Sequence, residues 1–162
     1  MSNDITKKES MSAQGVTVDH EILTENGWKP INTVQSTEKI ATLCLEHNKL
    51  EYHVPSEWRI TTLTTVDNVL PVLLRQNRVE VRMTPSTKIV SKLSKDSAWQ
   101  AIPISDLNGV DFYVRNYVGD CILKPINYQP ATTPFSGKVY LPVNENNTFL
   151  VKKNSKLSWI GC

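Results

Sequence analysis

The chain has 162 residues, 40% of them hydrophobic, a length and composition that fit one domain with one core. Eighteen Lys and Arg against sixteen Asp and Glu leave a formal charge of +2, so electrostatics alone calls for neither a nucleic-acid nor a membrane partner. Three cysteines (Cys44, Cys121 and Cys162) without CxxC spacing argue against a disulfide framework and for a reducing, cytoplasmic setting, and no run of about 18 apolar residues offers a membrane span.

Residues 1–14, MSNDITKKESMSAQ, are polar and aperiodic and cannot bury enough surface to offset their ordering entropy, so they are expected to form a flexible tail. From Val16 onward the pattern changes to short stretches rich in Val, Ile, Leu, Thr and Tyr, interrupted by Gly, Pro, Asn and Asp, which is an all-β signature. Strands are predicted over Glu21–Thr24, Lys39–Leu45, Lys49–His53, Trp58–Thr64, Asn68–Leu74 and Glu80–Met83. They continue over Lys88–Ser91, Gln100–Pro103, Phe112–Val114, Val139–Val143, Thr148–Lys152 and Leu157–Ile160. Reversals are expected at Glu25-Asn26-Gly27, His47-Asn48 and Asn154-Ser155, where Asn and Gly tolerate positive φ. A helical turn fits only near Ile104–Leu107, and the three prolines within residues 124–137 mark a surface loop.

Cys44, His47 and His53 match no zinc spacing; alternation is expected to turn Cys44 inward and Leu43 and Leu45 outward, leaving ordinary strand residues. No GxSxG, P-loop or glycine-rich dinucleotide loop is present, and Trp28, Trp58, Trp99 and Trp159 lack the interleaved basic stripe of a stacking platform. Residue patterns alone therefore support a soluble all-β domain, with a binding module and an enzyme equally open.

Three segments go further, because they resemble blocks that characterise inteins and related Hint autoprocessing domains, in the family's order and at its extreme ends. Gly15–Val34, GVTVDHEILTENGWKPINTV, resembles the block that begins with the splicing nucleophile. VRMTPSTKIVSK followed by WQAIPISDL resembles the block in which a Thr and a His three residues later flank the upstream scissile peptide; Thr84 matches the Thr, and Thr87 stands in the histidine's place. KVYLPVNENNTFLVKKNSKLSWIGC resembles the two C-terminal blocks of phage and viral members.

The resemblance implies a horseshoe-like all-β Hint fold over residues 15–162, preceded by a 1–14 flank of extein residues or an artificial leader. It also implies a single-turnover autocatalytic activity: self-excision with ligation of the flanking exteins by acyl transfer and Asn cyclisation. No cofactor and no metal are implied, the partners are the chain's own flanking segments, and a monomer is expected. The chain is too short to hold a homing endonuclease, and a phage DNA polymerase is the expected host. Site residues carried over are Gly15, Thr84, Thr87, Tyr140, Asn147, Gly161 and Cys162, with Gln14 as the neighbour across the scissile peptide.

Several of these positions depart from the family pattern. Gly15 has no side chain with which to attack the Gln14 carbonyl, and Thr87 cannot titrate near neutral pH as a histidine does. Tyr140 falls where many members have Asp or Cys, Asn147 where many have His, and Cys162 where an Asn cyclises. Both junctions are thus expected to be inactive, as after deliberate replacement. Cys162 is alternatively the nucleophile of the downstream flank. Two rival readings remain: a Hint-like domain that only cleaves, and a non-catalytic β binding module.

Overall fold

The computed structural model describes residues 13–64, 71–76, 79–115, 126–127, 131–132 and 135–162. Its first half contains β1 (Val16–Thr17), β2 (Glu21–Thr24), β3 (Gly27–Pro30), β4 (Ile40–Cys44), β5 (Lys49–His53), β6 (Glu57–Leu63), β7 (Val72–Gln76) and β8 (Val79–Met83). The second half contains β9 (Lys88–Lys92), β10 (Gln100–Pro103), β11 (Asp111–Val114), β12 (Ile126–Asn127), β13 (Ala131–Thr132), β14 (Gly137–Val143), β15 (Thr148–Lys153) and β16 (Lys156–Gly161). Short 3-10 turns at Ile31–Thr33 and Ile104–Leu107 are the only helical elements among the described residues.

Two sheets divide these strands. One runs β13-β7-β8-β1-β14-β6; the other runs β12-β11-β9-β16-β15-β2-β4-β5, with β10 beside β9 and β3 beside β2. The first and last strands are interior to their sheets: β1 lies between β8 and β14, and β16 between β9 and β15. β1 and β16 are therefore each fixed by backbone ladders on two sides.

The central strands of the larger sheet are buried on both faces. Ile22, Ile89, Phe149 and Ile160 join the main core with Val16, Leu74, Met83 and Leu141 of the other sheet, while their sequence neighbours Leu23, Val90, Leu150 and Trp159 form a second cluster on the opposite face. That double burial explains continuous apolar runs such as IL, IV, FL and WI where a half-exposed strand would alternate. It also corrects the expected facing of β4: Leu43 packs into the second cluster and Cys44 is only half-buried at the strand's end.

The predicted strands recur with shifted ends. Asn68–Leu74 becomes Val72–Gln76, with residues 68–70 outside the described set. The expected 124–137 loop contributes two-residue strands, and both sit at sheet ends, where a broken ladder costs least. Sequence patterning predicted neither β1, whose two residues show no period, nor β3, whose GWKP opens and closes on the turn residues Gly and Pro. The tryptophans pack as core residues: Trp159 is fully buried, and Trp28 and Trp99 pack against its cluster.

Candidate functional site

β8 ends at Met83, and Thr84-Pro85-Ser86-Thr87 turns the chain into β9, with the Thr87 N–H bonded to the Thr84 carbonyl at 3.0 Å. Proline in the second place presets that turn's φ. The 3-10 segment clamps it from outside, through Ile104 N–H to Thr87 O at 2.9 Å and Ser105 N–H to Pro85 O at 3.0 Å. The turn presents three hydroxyls to residues 13–15, just before β1.

Thr84 Oγ1 and Ser86 Oγ both donate to the Ala13 carbonyl, at 2.7 and 2.9 Å. The Gly15 N–H donates to Thr87 Oγ1 at 2.8 Å. Thr84 Oγ1 and Thr87 Oγ1 lie 2.7 Å apart, and Thr87, with one hydroxyl proton, also stands 3.2 Å from the Gly15 carbonyl, so its proton serves either Thr84 Oγ1 or Gly15 O. The result is a buried hydrogen-bonded cluster that links Gly15, Thr87, Thr84 and the Ala13 carbonyl. The Gly15 carbonyl lies 3.2 Å from the Thr84 N–H. Both flanking carbonyls and the amide nitrogen of the Gln14–Gly15 peptide are thus held, while the Gln14 carbonyl receives no hydrogen bond among the described residues.

Gly15 itself is pressed against β14. Its φ is +146°, and a Cβ built there would lie 2.8 Å from both N and O of Tyr140. Only glycine adopts that backbone without strain and allows so close an approach. Tyr140 pairs with Val16, so its contribution at this end is its backbone.

At the other end, β16 pairs with the start of β9, Gly161 opposite Lys88. A Cβ at Gly161 would meet the Cβ atoms of Ala101 and Lys88 at 2.7 and 3.1 Å, so a penultimate histidine would need both to move. The Cys162 N–H donates to the Asn147 carbonyl at 2.8 Å, and its thiol donates to the Pro142 carbonyl at 3.3 Å. Burial pushes the thiol up to about 11, against the opposing pull of an Asn144 hydrogen bond and the Lys88 and Arg59 cations. Asn147 has φ 56° and an exposed side chain; it reaches the junction through its backbone.

One strand start brings the two ends together. Thr87 receives the Gly15 N–H, and the next residue, Lys88, pairs with Gly161. On the far side, Tyr140 backs Gly15 and Pro142 accepts from Cys162, a separation of two strand residues or roughly 7 Å. Gly15, Thr84, Thr87, Tyr140, Gly161 and Cys162 therefore share one neighbourhood.

Two residues there escaped sequence reasoning. Ser86 binds the Ala13 carbonyl beside Thr84. Buried Asn144 donates to Pro142 O at 3.1 Å and Thr148 O at 2.7 Å, with its amide nitrogen 3.9 Å from Cys162 Sγ. The Ser and Asn in the TPST and NENN runs are the only sequence signal, and either reads as an ordinary turn residue.

The generic metal candidates do not converge: His47 is exposed in a turn, and His53 bonds to Glu51 at 3.0 Å. Among the described residues, no three His, Cys, Asp or Glu side chains are placed to hold an ion.

No family model and no curated protein sequence matches this chain. Solved structures do match. A GSH-linked, splice-inactive variant of the AceL NrdHF class 3 split intein aligns at TM-score 0.72 and 11% identity, over 91% of this chain and 97% of that one. A bacterial intein-like domain from Clostridium thermocellum aligns at TM-score 0.68 and 15% identity, covering 93% and 99%. A KlbA intein precursor from Methanococcus jannaschii gives TM-score 0.65 and 15% identity, covering 90% of each chain. The chain has the all-β Hint fold, the fold of inteins.

Proposed function

We propose that this chain is an autoprocessing domain of the intein type, acting once on the polypeptide that flanks it. The observation that carries the reading is that the start of β9 holds both ends, Gly15 on Thr87 and Gly161 on Lys88. Acyl transfer within one chain gains most of its rate from such placement and needs no cofactor. A complete member would attack the Gln14 carbonyl from residue 15, pass the acyl group to the downstream flank and cyclise a terminal Asn. Here Gly15 offers no nucleophile and Cys162 cannot form the succinimide, so the reaction halts with the flanks unjoined.

The test is restoration. Gly15→Cys with Cys162→Asn, carrying reporter domains on both sides and a Cys after residue 162, is expected to yield ligated reporters by mass spectrometry. A chain that still folds cooperatively, even with a lowered Tm, and stays intact would contradict the reading.

A second reading is favoured by one observation, the positive φ and absent Cβ space at Gly15. That packing suits a site in which residue 15 never supplies the nucleophile and Cys162 does. Its thiolate would add to the Gln14 carbonyl carbon; the bond to Gly15 N breaks, that nitrogen takes a proton, and water releases the acyl group as a carboxylate. Cleavage after Gln14 that disappears in Cys162→Ala would select this reading over the first.

A further inference from the structure

Ala13, two places upstream of Gly15, is only 6% exposed, and its methyl packs with the fully buried Leu63 and Val139 and with half-buried Phe135. Leu63 stands opposite Gly137 on the β6 to β14 ladder, and Val139 follows Gly137 by two residues, so both side chains point to one face. Phe135 covers that face. Its ring lies over Gly137, where a Cβ would come within 3.0 Å of it, and the Arg82 guanidinium stacks on the ring at 4.8 Å. The four side chains form a small cluster apart from the two larger cores.

The backbone beside the methyl is held as well. Both lone pairs of the Ala13 carbonyl are taken, by Thr84 at 2.7 Å and Ser86 at 2.9 Å, and the Gly15 N–H is held by Thr87. With the carbonyl pinned, the Cβ stays aimed at Leu63, Val139 and Phe135, so added carbons meet close-packed walls. Gln14 is set differently. It is half-buried and lines a cleft of about 540 Å³ with Arg59, Thr61 and Leu141 among its other walls, which leaves room that the Ala13 pocket lacks.

We propose that the Leu63, Val139 and Phe135 pocket is a recognition subsite for the upstream flank, selecting alanine or glycine at position 13 and leaving position 14 open. The inference rests on the proposed autoprocessing function and adds its substrate class: polypeptides with a very small residue one place before the scissile carbonyl's own. Larger apolar residues are refused by overpacking, and charged ones by burial without a partner. The same fit positions the scissile peptide, because Thr84 and Ser86 seat the carbonyl of a residue only when its side chain enters the pocket.

Amide exchange in the full chain tests the subsite without any acyl transfer. In Ala13→Leu the Gly15 amide is expected to lose at least tenfold in protection while β9 and β14 amides keep theirs, whereas Gln14→Leu should change it less than twofold. Ala13→Val, a smaller step, replaces Ala13→Leu if β9 protection falls too. Adding Phe135→Ala, which opens the pocket wall, should return most of the loss. Gly15 protection equal in the parent, Ala13→Val and Ala13→Leu overturns the proposal. In the restored Gly15→Cys, Cys162→Asn chain, Ala13→Leu and Ala13→Asp are expected to lower ligation at least tenfold and Ala13→Gly less than threefold. Equal ligation across these variants also overturns it. Absence of ligation in all of them, Ala13 included, fails the autoprocessing reading instead, and the exchange comparison still decides the pocket.

Discussion

The upstream and downstream junctions are equipped in opposite ways. Around Gly15 three hydroxyls and several backbone groups grip a peptide that has no nucleophile beside it. Around Cys162 a thiol is in place, but its neighbours are carbonyls and an amide, and burial keeps it protonated. On the proposed reading, one end is a holder without an attacker and the other an attacker without a base. On that reading neither end suffices for acyl transfer, and the proposal rests on their convergence at the start of β9.

The largest expected effect concerns the attacker. The thiolate is the reactive form, so with the thiol at about 11 the alkylation of Cys162 should rise roughly tenfold per pH unit, about a hundredfold from pH 8 to pH 10. Iodoacetamide kinetics on a Cys44→Ser, Cys121→Ser background would measure it. A plateau below pH 9 would mean that a base serves Cys162 after all, and the contrast between the junctions would fail.

Next comes the glycine at the holder. Gly15→Ala places a Cβ 2.8 Å from the Tyr140 backbone at an unfavourable φ, and such overpacking costs about 1–3 kcal/mol. The expected result is a Tm lower by several degrees, at about 2–4 °C per kcal/mol for a chain of this size. An unchanged Tm would show that β14 yields easily and that a nucleophile once fitted here.

The smallest effect sharpens the role of the hydroxyls. Thr87→Val leaves the buried Gly15 N–H without an acceptor, a loss of about 1–2 kcal/mol, whereas Thr87→Ser keeps the oxygen and should recover most of it. Thermal denaturation of the two variants separates the hydrogen bond from the packing of the methyl group.

Much of the fold was legible in sequence because most strands are long enough to carry a period or a β-branched run, and turn residues punctuate them. What escaped was the two-residue β1, whose identity depends on Tyr140 and Met83 lying to either side, and the facing of Leu43, which reverses because the central strands of the larger sheet are covered on both faces. The site was legible only through resemblance. Nothing local in TPST says that its hydroxyls converge on residues 13 and 15, about seventy positions away, since that depends on β1 and β8 pairing. Asn144 was hidden for a different reason: the carbonyls it binds are local, two and four residues away, as in any turn, and only the approach of the Cys162 thiol eighteen positions on marks it as part of the site.

The most direct measurement is a NOESY spectrum of the labelled full chain. The account predicts cross-peaks from the Gly15 amide proton to the Thr87 side chain together with cross-peaks between Gly161 and Lys88. If either pair is silent while the surrounding strands give their own contacts, the two ends do not share the start of β9, and the autoprocessing assignment is contradicted.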